Sequence, residues 1–409
     1  MAKDKTRDMK WSSKILTVST IILTLSVKCS AQDIISLKGL LKNGGLYAEH
    51  TSGRALIDIR GDAYFIPAST IKVATAYCAL EVLSTNYRFQ TQFFIDGETL
   101  YIRGYGDPSL VSEELRKIVS QLVGKLPSIK TIAIDTSLFN LSSPPDGTSN
   151  SLNPYDAKNG SFVVNFGSAR LHRKNKSTVV SAEPETPLTS LARQSGMNIP
   201  VGRTDRINLA KTPTLGAQYG AEIFSKLLEE RGVTGVRTIT FQVVPSTATH
   251  LLTHYSSKSL EEIVKDMLEY STNFTANQIM LVLGAEAYAH PATVEKGKRA
   301  LNKCLSEIGW SDFHIEEGSG LSRKTKVSPH QLVQLLKHFS KYEHLLPSKM
   351  GFSAKTGSLR GVNSLAGYLT LDSAPSEKVY FAILINSNVP HLHKYKVATA
   401  LRELLKKKQ

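Results

Sequence analysis

Apolar residues recur along the chain with two periods, and the switches between them mark the elements. Leu46 to His50 and Arg54 to Ile59 read as a hairpin around Thr51-Ser52-Gly53, after a first helix that closes at Lys38 to Leu41. Ile71, Ala74, Thr75, Cys78, Ala79 and Val82 return at helical spacing, so a helix opening near Ser69 is expected to be buried. Towards the other end come three strands, Ser353 to Leu359, Leu365 to Leu371 and Val379 to Asn386, with a turn at Gly361 and Asn363. The last is almost entirely apolar, which suits a central strand covered on both faces. Together the five strands predict one antiparallel sheet with helices packed on it, an α+β fold.

The stretch between Ser69 and Ser271 is far longer than one helix pair needs. From about Arg88 the period falls to two, in Phe89 to Ile95, Leu100 to Arg103 and Ile132 to Ile134, with a helix over Glu113 to Leu126. Ser142 to Gly160 is rich in Ser, Pro, Asn and Gly and reads as loop. This segment predicts a separate α+β domain, residues 88–215, inserted between residues 32–87 and 216–409. The amphipathic run Glu222 to Arg231 follows it. The C-terminal helix, Val397 to Leu405 before Lys406-Lys407-Lys408, either packs its apolar face on the sheet or lies on a membrane surface. The packed arrangement is the simpler expectation.

Residues 1–31 have the pattern of an export signal: Lys3, Lys5, Arg7, Lys10 and Lys14, an apolar run from Ile15 to Val27, then Cys29-Ser30-Ala31 with small residues before a cleavage after Ala31. Cys29 also raises lipidation, which Lys28 fits poorly, and an uncleaved anchor is the remaining alternative. The other two cysteines, Cys78 and Cys304, sit in apolar helical patterns and read as buried thiols, with a bridge open to them in an oxidising compartment. The formal charge is +15, and +11 without the first 31 residues, which hold six Lys/Arg and two Asp. An exported basic protein is drawn to anionic cell wall or membrane, and no nucleic-acid recognition pattern is present. Eleven histidines are scattered without zinc spacing, so no metal or other cofactor is expected.

Three short strings carry chemistry. Ser69 and Lys72 lie three apart, and no other serine has a lysine at that offset. Ser271-Thr272-Asn273 and then Lys355-Thr356-Gly357 follow in the order found in serine acyl-transferases that bind penicillin. Ser-x-Asn is cheap, since Ser84-Thr85-Asn86 and Ser151-Leu152-Asn153 match it too. Lys355-Thr356-Gly357 occurs once and lies on a covered strand. A serine hydroxyl needs a base beside it, and a lysine one turn along a helix serves once its charge is suppressed. A lysine neutral at pH 7 has its pKa lowered by ~3 units, about 4 kcal/mol. Burial and a second cation, Lys355, both push that way. Pro67 places Ser69 at a helix N-terminus, where backbone N–H groups face developing negative charge.

On these strings the chain resembles the D-alanyl-D-alanine carboxypeptidase/endopeptidases of the low-molecular-mass class C penicillin-binding proteins. Gly104 to Leu110, Ile134 to Phe139 and Glu317 to Arg323 are similar to further segments of that family. Glu317, Thr325 and Tyr105 replace the family's usual Asp, Asn and Gly, and bear on substrate preference rather than chemistry. The resemblance implies a penicillin-recognising, transpeptidase/β-lactamase-like domain split by an insertion. It implies that Ser69 attacks the carbonyl between two D-alanines of a peptidoglycan stem peptide, with Lys72 as base. Ser271 would relay the proton to the leaving amine and Asn273 hold the substrate amide. Lys355, Thr356 and Ser358 would receive the terminal carboxylate, Gly357 lies within that string, and the Ser69 and Ser358 N–H groups form the oxyanion hole. β-Lactams would acylate the same serine. A β-lactamase shares the three strings, but the insertion and the extra segments favour the peptidase. A non-catalytic wall-binding scaffold has no need to keep the nucleophile beside its base.

Overall fold

The computed structural model describes residues 32–142, 145–371 and 378–407. The predicted export signal and Lys408 lie outside them. The chain opens with helix α1 (32–41), the hairpin β1 (Gly44–His50) and β2 (Ala55–Ile59), and, after a 3-10 turn at Ala68–Ile71, helix α2 (Lys72–Leu83). The middle runs β3 (Gln90–Asp96), β4 (Thr99–Gly104), α3 (Ser112–Leu122), β5 (Thr131–Asp135), β6 (Ser168–Arg173), β7 (Val179–Ser181), α4 (Ser190–Gly196), β8 (Thr204–Asn208), α5 (Pro213–Glu230), β9 (Thr238–Phe241) and β10 (Thr249–Tyr255). The last part holds α6 (Leu260–Tyr270), α7 (Asn273–Tyr288), α8 (Val294–Glu307), α9 (Pro329–Phe339), β11 (Ser348–Lys349), β12 (Phe352–Leu359), β13 (Val362–Thr370), β14 (Lys378–Ile385) and α10 (His393–Lys406).

The first and last parts build one antiparallel sheet in the order β11-β12-β13-β14-β1-β2. It contains the five expected strands and a sixth, the two-residue β11 at the edge. Alternation along β14 shows how both faces are covered. Val379, Phe381, Ile383 and Ile385 pack with α1 and α10, whereas Ala382 and Leu384 pack with α2, α6, α7, α8 and α9. Leu401, Leu404 and Leu405 of α10 are buried in the first of these layers, so the apolar face of this helix is occupied by the sheet. Among the described residues no helix is long and apolar enough to cross a membrane.

The middle part has its own sheet, β10-β3-β4-β5-β9, antiparallel at β10-β3 and β3-β4 and parallel at β4-β5 and β5-β9, over a separate core with α3 and α5. A small antiparallel sheet, β7-β6-β8, adds to it. The expected end of the insertion at 215 falls inside α5. Thr212 caps that helix through a side-chain bond to the Leu215 N–H, Pro213 occupies its first turn, and it packs on the second core. With β9 and β10 also in the second sheet, the chain returns to the first only after Tyr255. Both strands are half-exposed sheet edges that write a weak signal in the sequence: Thr238–Phe241 alternates but spans only four residues, and Thr249–Tyr255 does not alternate.

Cys78 of α2 and Cys304 of α8 are bonded, with Cα atoms 5.8 Å apart. The free-thiol expectation is thereby corrected. Helical spacing placed both residues in the core, but only the packing of α2 and α8 brings positions 226 residues apart within bonding range.

Candidate active site

Ser69 sits on the 3-10 turn that leads into α2, directly after Ala68, a non-glycine residue held at φ +49°. Such a conformation costs of order 1–3 kcal/mol and persists where the surroundings impose it. Here Gly320 packs against the Ala68 carbonyl so closely that a Cβ would overlap it. The Pro67 carbonyl accepts from Thr70 Oγ1 at 2.8 Å and from Ser364 Oγ of β13 at 2.6 Å, which ties the turn to the sheet. Gly357 of β12 permits the approach, since a Cβ there would overlap Ser364 Oγ and come within 2.6 Å of the Pro67 oxygen and 3.0 Å of the Ser69 nitrogen.

Lys72 is wholly buried one turn along. Its Nζ lies 2.9 Å from Ser69 Oγ, 2.8 Å from Asn273 Oδ1 and 2.7 Å from the Ser319 carbonyl oxygen. The last two only accept hydrogen bonds. A neutral amine therefore gives its two N–H bonds to them and turns its lone pair towards the Ser69 hydroxyl. Burial pushes the Lys72 pKa down to about 7, helped by the Lys355 charge and partly opposed by Glu317. A lysine that exchanges a proton near neutrality and faces a serine oxygen is equipped to act as a base.

Ser271 and Asn273 flank the α6–α7 junction. Ser271 closes α6 in the left-handed conformation (φ +57°), which turns the chain so that α7 starts at Asn273. Ser271 Oγ accepts from Lys355 Nζ at 2.9 Å, and that amine also donates to the Thr356 carbonyl at 3.2 Å. Burial, and then the charge of Lys394, lower the Lys355 pKa to about 8, with Glu269 opposing. The structure thus joins Ser69 and Asn273 through Lys72, and Ser271 and Lys355 to each other. Thr356 is half-buried on the same strand, and Ser358 is exposed.

Three contributors were not singled out from the sequence. The Ser319 carbonyl belongs to the Glu317 to Arg323 segment, which Glu317 braces by accepting from Ser319 N at 2.7 Å, Ser319 Oγ at 2.5 Å and Ser322 N at 3.1 Å. Lys394 of α10 lies under β12, donating to the Gly357 carbonyl at 3.0 Å and to Ser358 Oγ at 2.6 Å. A signal was available: Lys394 stands three and four positions before Val397 and Ala398, on the apolar stripe that continues through Leu401. The third contributor is a cleft of about 680 Å³ between the two sheet systems that reaches Asn273 and is lined by Tyr155, Phe166, Met267, Tyr270 and Phe274. Among the described residues no group of three or more His, Cys, Asp or Glu side chains is placed to hold a metal ion.

The model of the D-Ala-D-Ala carboxypeptidase 3 (S13) family matches residues 27–187, 198–349 and 344–408. The chain is 26% identical to the D-alanyl-D-alanine carboxypeptidase DacB of Haemophilus influenzae, over 84% of this chain and 85% of that protein. It is 22% identical to the D-alanyl-D-alanine carboxypeptidase of Actinomadura sp., over 85% of this chain and 78% of that one. The crystal structure of penicillin-binding protein 4 from Haemophilus influenzae superposes with a TM-score of 0.72 at 21% identity, covering 91% of this chain and 98% of its own. The chain belongs to the S13 D-Ala-D-Ala carboxypeptidase family, and its fold is that of the penicillin-binding proteins.

Proposed function

We propose that the protein is a serine D-Ala-D-Ala carboxypeptidase that cleaves peptidoglycan stem peptides through an acyl-enzyme on Ser69. The observation that carries this reading is the Lys72 amine held 2.9 Å from Ser69 Oγ by two acceptor-only oxygens. Neutral Lys72 takes the Ser69 proton as the hydroxyl attacks the carbonyl between the two D-alanines. The oxyanion that forms is met by the Ser69 and Ser358 N–H groups, which Gly357 allows to converge. The Lys72 proton then passes to the departing D-Ala nitrogen, with Ser271 as the relay held by Lys355. Asn273, whose Oδ1 is taken by Lys72, offers its amide N–H to the substrate backbone. Lys355, Thr356 and Ser358 receive the terminal carboxylate. Water attacks the ester with Lys72 again as base.

β-Lactams acylate Ser69 by the same first step. A crystal structure of penicillin-binding protein 4 from Haemophilus influenzae complexed with a β-lactam superposes with a TM-score of 0.65 at 21% identity, so the fold is one that takes up such a ligand in that protein. Export to the cell envelope belongs to the same reading. It is supported by the basic-then-apolar start of the sequence and by the Cys78–Cys304 bond, which suits an oxidising compartment. The positive charge favours contact with anionic wall or membrane. The decisive test is mass mapping of the protein after incubation with penicillin, alongside D-Ala release from a stem pentapeptide. Label on the peptide containing Ser69, with both activities lost in Ser69→Ala, is expected. Label elsewhere, or D-Ala release by the alanine variant, refutes the assignment. Rapid multiple turnover of penicillin favours a β-lactamase instead.

A further inference from the structure

Lys394 is a buried cation that the steps above leave unused. It is wholly inaccessible, and its two hydrogen-bond partners, the Gly357 carbonyl and Ser358 Oγ, are both neutral. Its backbone N–H is fixed by Asn363 Oδ1 at 2.9 Å, so the side chain starts from a rigid point on α10. A buried charge without a counter-ion is costly. That cost falls when an anion binds beside the exposed Ser358 hydroxyl.

The chemistry of the contact fixes a direction. An ammonium can only donate, so Ser358 Oγ is the acceptor in its 2.6 Å bond with Lys394. The Ser358 hydroxyl proton must then point to another acceptor, and because Ser358 is exposed a bound ligand can supply one. The same ammonium polarises the hydroxyl and makes it a stronger donor. We propose that Lys394 is a positioning residue that holds the Ser358 hydroxyl outward as a donor and, with Lys355, makes the pocket select ligands ending in a free carboxylate. Lys394 itself never touches the ligand. It acts through Ser358 and through its field, which also bears on Lys355. This inference rests on Ser69 being the nucleophile and on Thr356 and Ser358 lining the carboxylate subsite.

The test compares acylation of the full-length protein by benzylpenicillin and by its methyl ester, which differ only in the carboxylate. Wild type, Lys394→Met, Lys394→Gln and Ser358→Ala are measured as second-order labelling rates. Lys394→Gln is one bond shorter but keeps N–H donors aimed at the Gly357 carbonyl while losing the charge, so it covers the case in which the methionine variant fails to fold. In each folded variant the preference for acid over ester is expected to fall about 10- to 100-fold, the effect of one charge-assisted hydrogen bond. In Lys394→Met and Lys394→Gln the ester rate should stay near that of wild type. In the Ser358→Ala background, Lys394→Gln should cost much less than it does alone. A parallel fall in both rates, or an unchanged preference, overturns the role of Lys394 while leaving Ser69 in place. A wild type that is not labelled at Ser69 overturns the nucleophile assignment and this inference with it.

Discussion

Replacing Lys355 with methionine should reshape the pH dependence of acylation in a way that its loss of carboxylate binding alone cannot produce. In the wild type Lys72 must be neutral and Lys355 charged, with pKa values of about 7 and about 8. The two requirements make a narrow bell, rising through the first value and falling through the second. At pH 5 only about one Lys72 in a hundred is neutral, so acylation there should be roughly 100-fold below its limit. Lys355 is the larger of the two charges acting on Lys72, after burial, and it lowers the Lys72 pKa. Its removal should move the acid limb up by roughly one pH unit, which corresponds to an interaction near 1.4 kcal/mol. The part of the alkaline limb that belongs to Lys355 should vanish, leaving the part set by Lys394, whose own pKa burial lowers to about 8. Stopped-flow labelling with a fluorescent penicillin from pH 5 to 10 reads both limbs, and the midpoints are independent of the overall drop in rate. A wild-type profile that is flat from pH 5 to 7, or an acid limb that stays in place in the variant, refutes Lys72 as the base tuned by Lys355.

The same depressed pKa has a consequence for folding. From about pH 7 to 10.5 the unfolded chain keeps the Lys72 proton that the native state has lost, so this contribution to stability grows as pH rises across that window. Lys72→Met should therefore be more stable than wild type at pH 6, with an advantage that shrinks towards pH 10 in urea unfolding. Gly357→Ala should fold yet acylate at least 100-fold more slowly, because the new Cβ pushes β12 off the Pro67–Ser69 turn; a rate within tenfold of wild type in a penicillin-labelling assay would contradict that geometry. Removing the Cys78–Cys304 bond closes no chemistry but releases a loop of 226 residues, so Cys304→Ala should lose about 2–5 kcal/mol in denaturant unfolding.

The sequence by itself determined the reaction type and the elements that carry it. The residues proposed for the site, Ser69, Lys72, Asn273 and Lys355, stood out because the proposed chemistry asks for one residue type at a fixed place on a helix start or a strand, and a local spacing encodes that. The strands of the main sheet were equally legible, since burial on one or two faces writes itself as alternation or as a continuous apolar run. Tertiary structure decided what depends on residues distant in the chain. The Ser319 carbonyl that steers the Lys72 lone pair is a backbone atom with no side-chain signature. The end of the second sheet at Tyr255 rests on two edge strands whose place is set by pairing with β5 and β3, far back in the chain. The Cys78–Cys304 bond and the burial of Lys394 beneath Ser358 both arise when helices pack, and packing is a property of facing surfaces rather than of intervals along the chain.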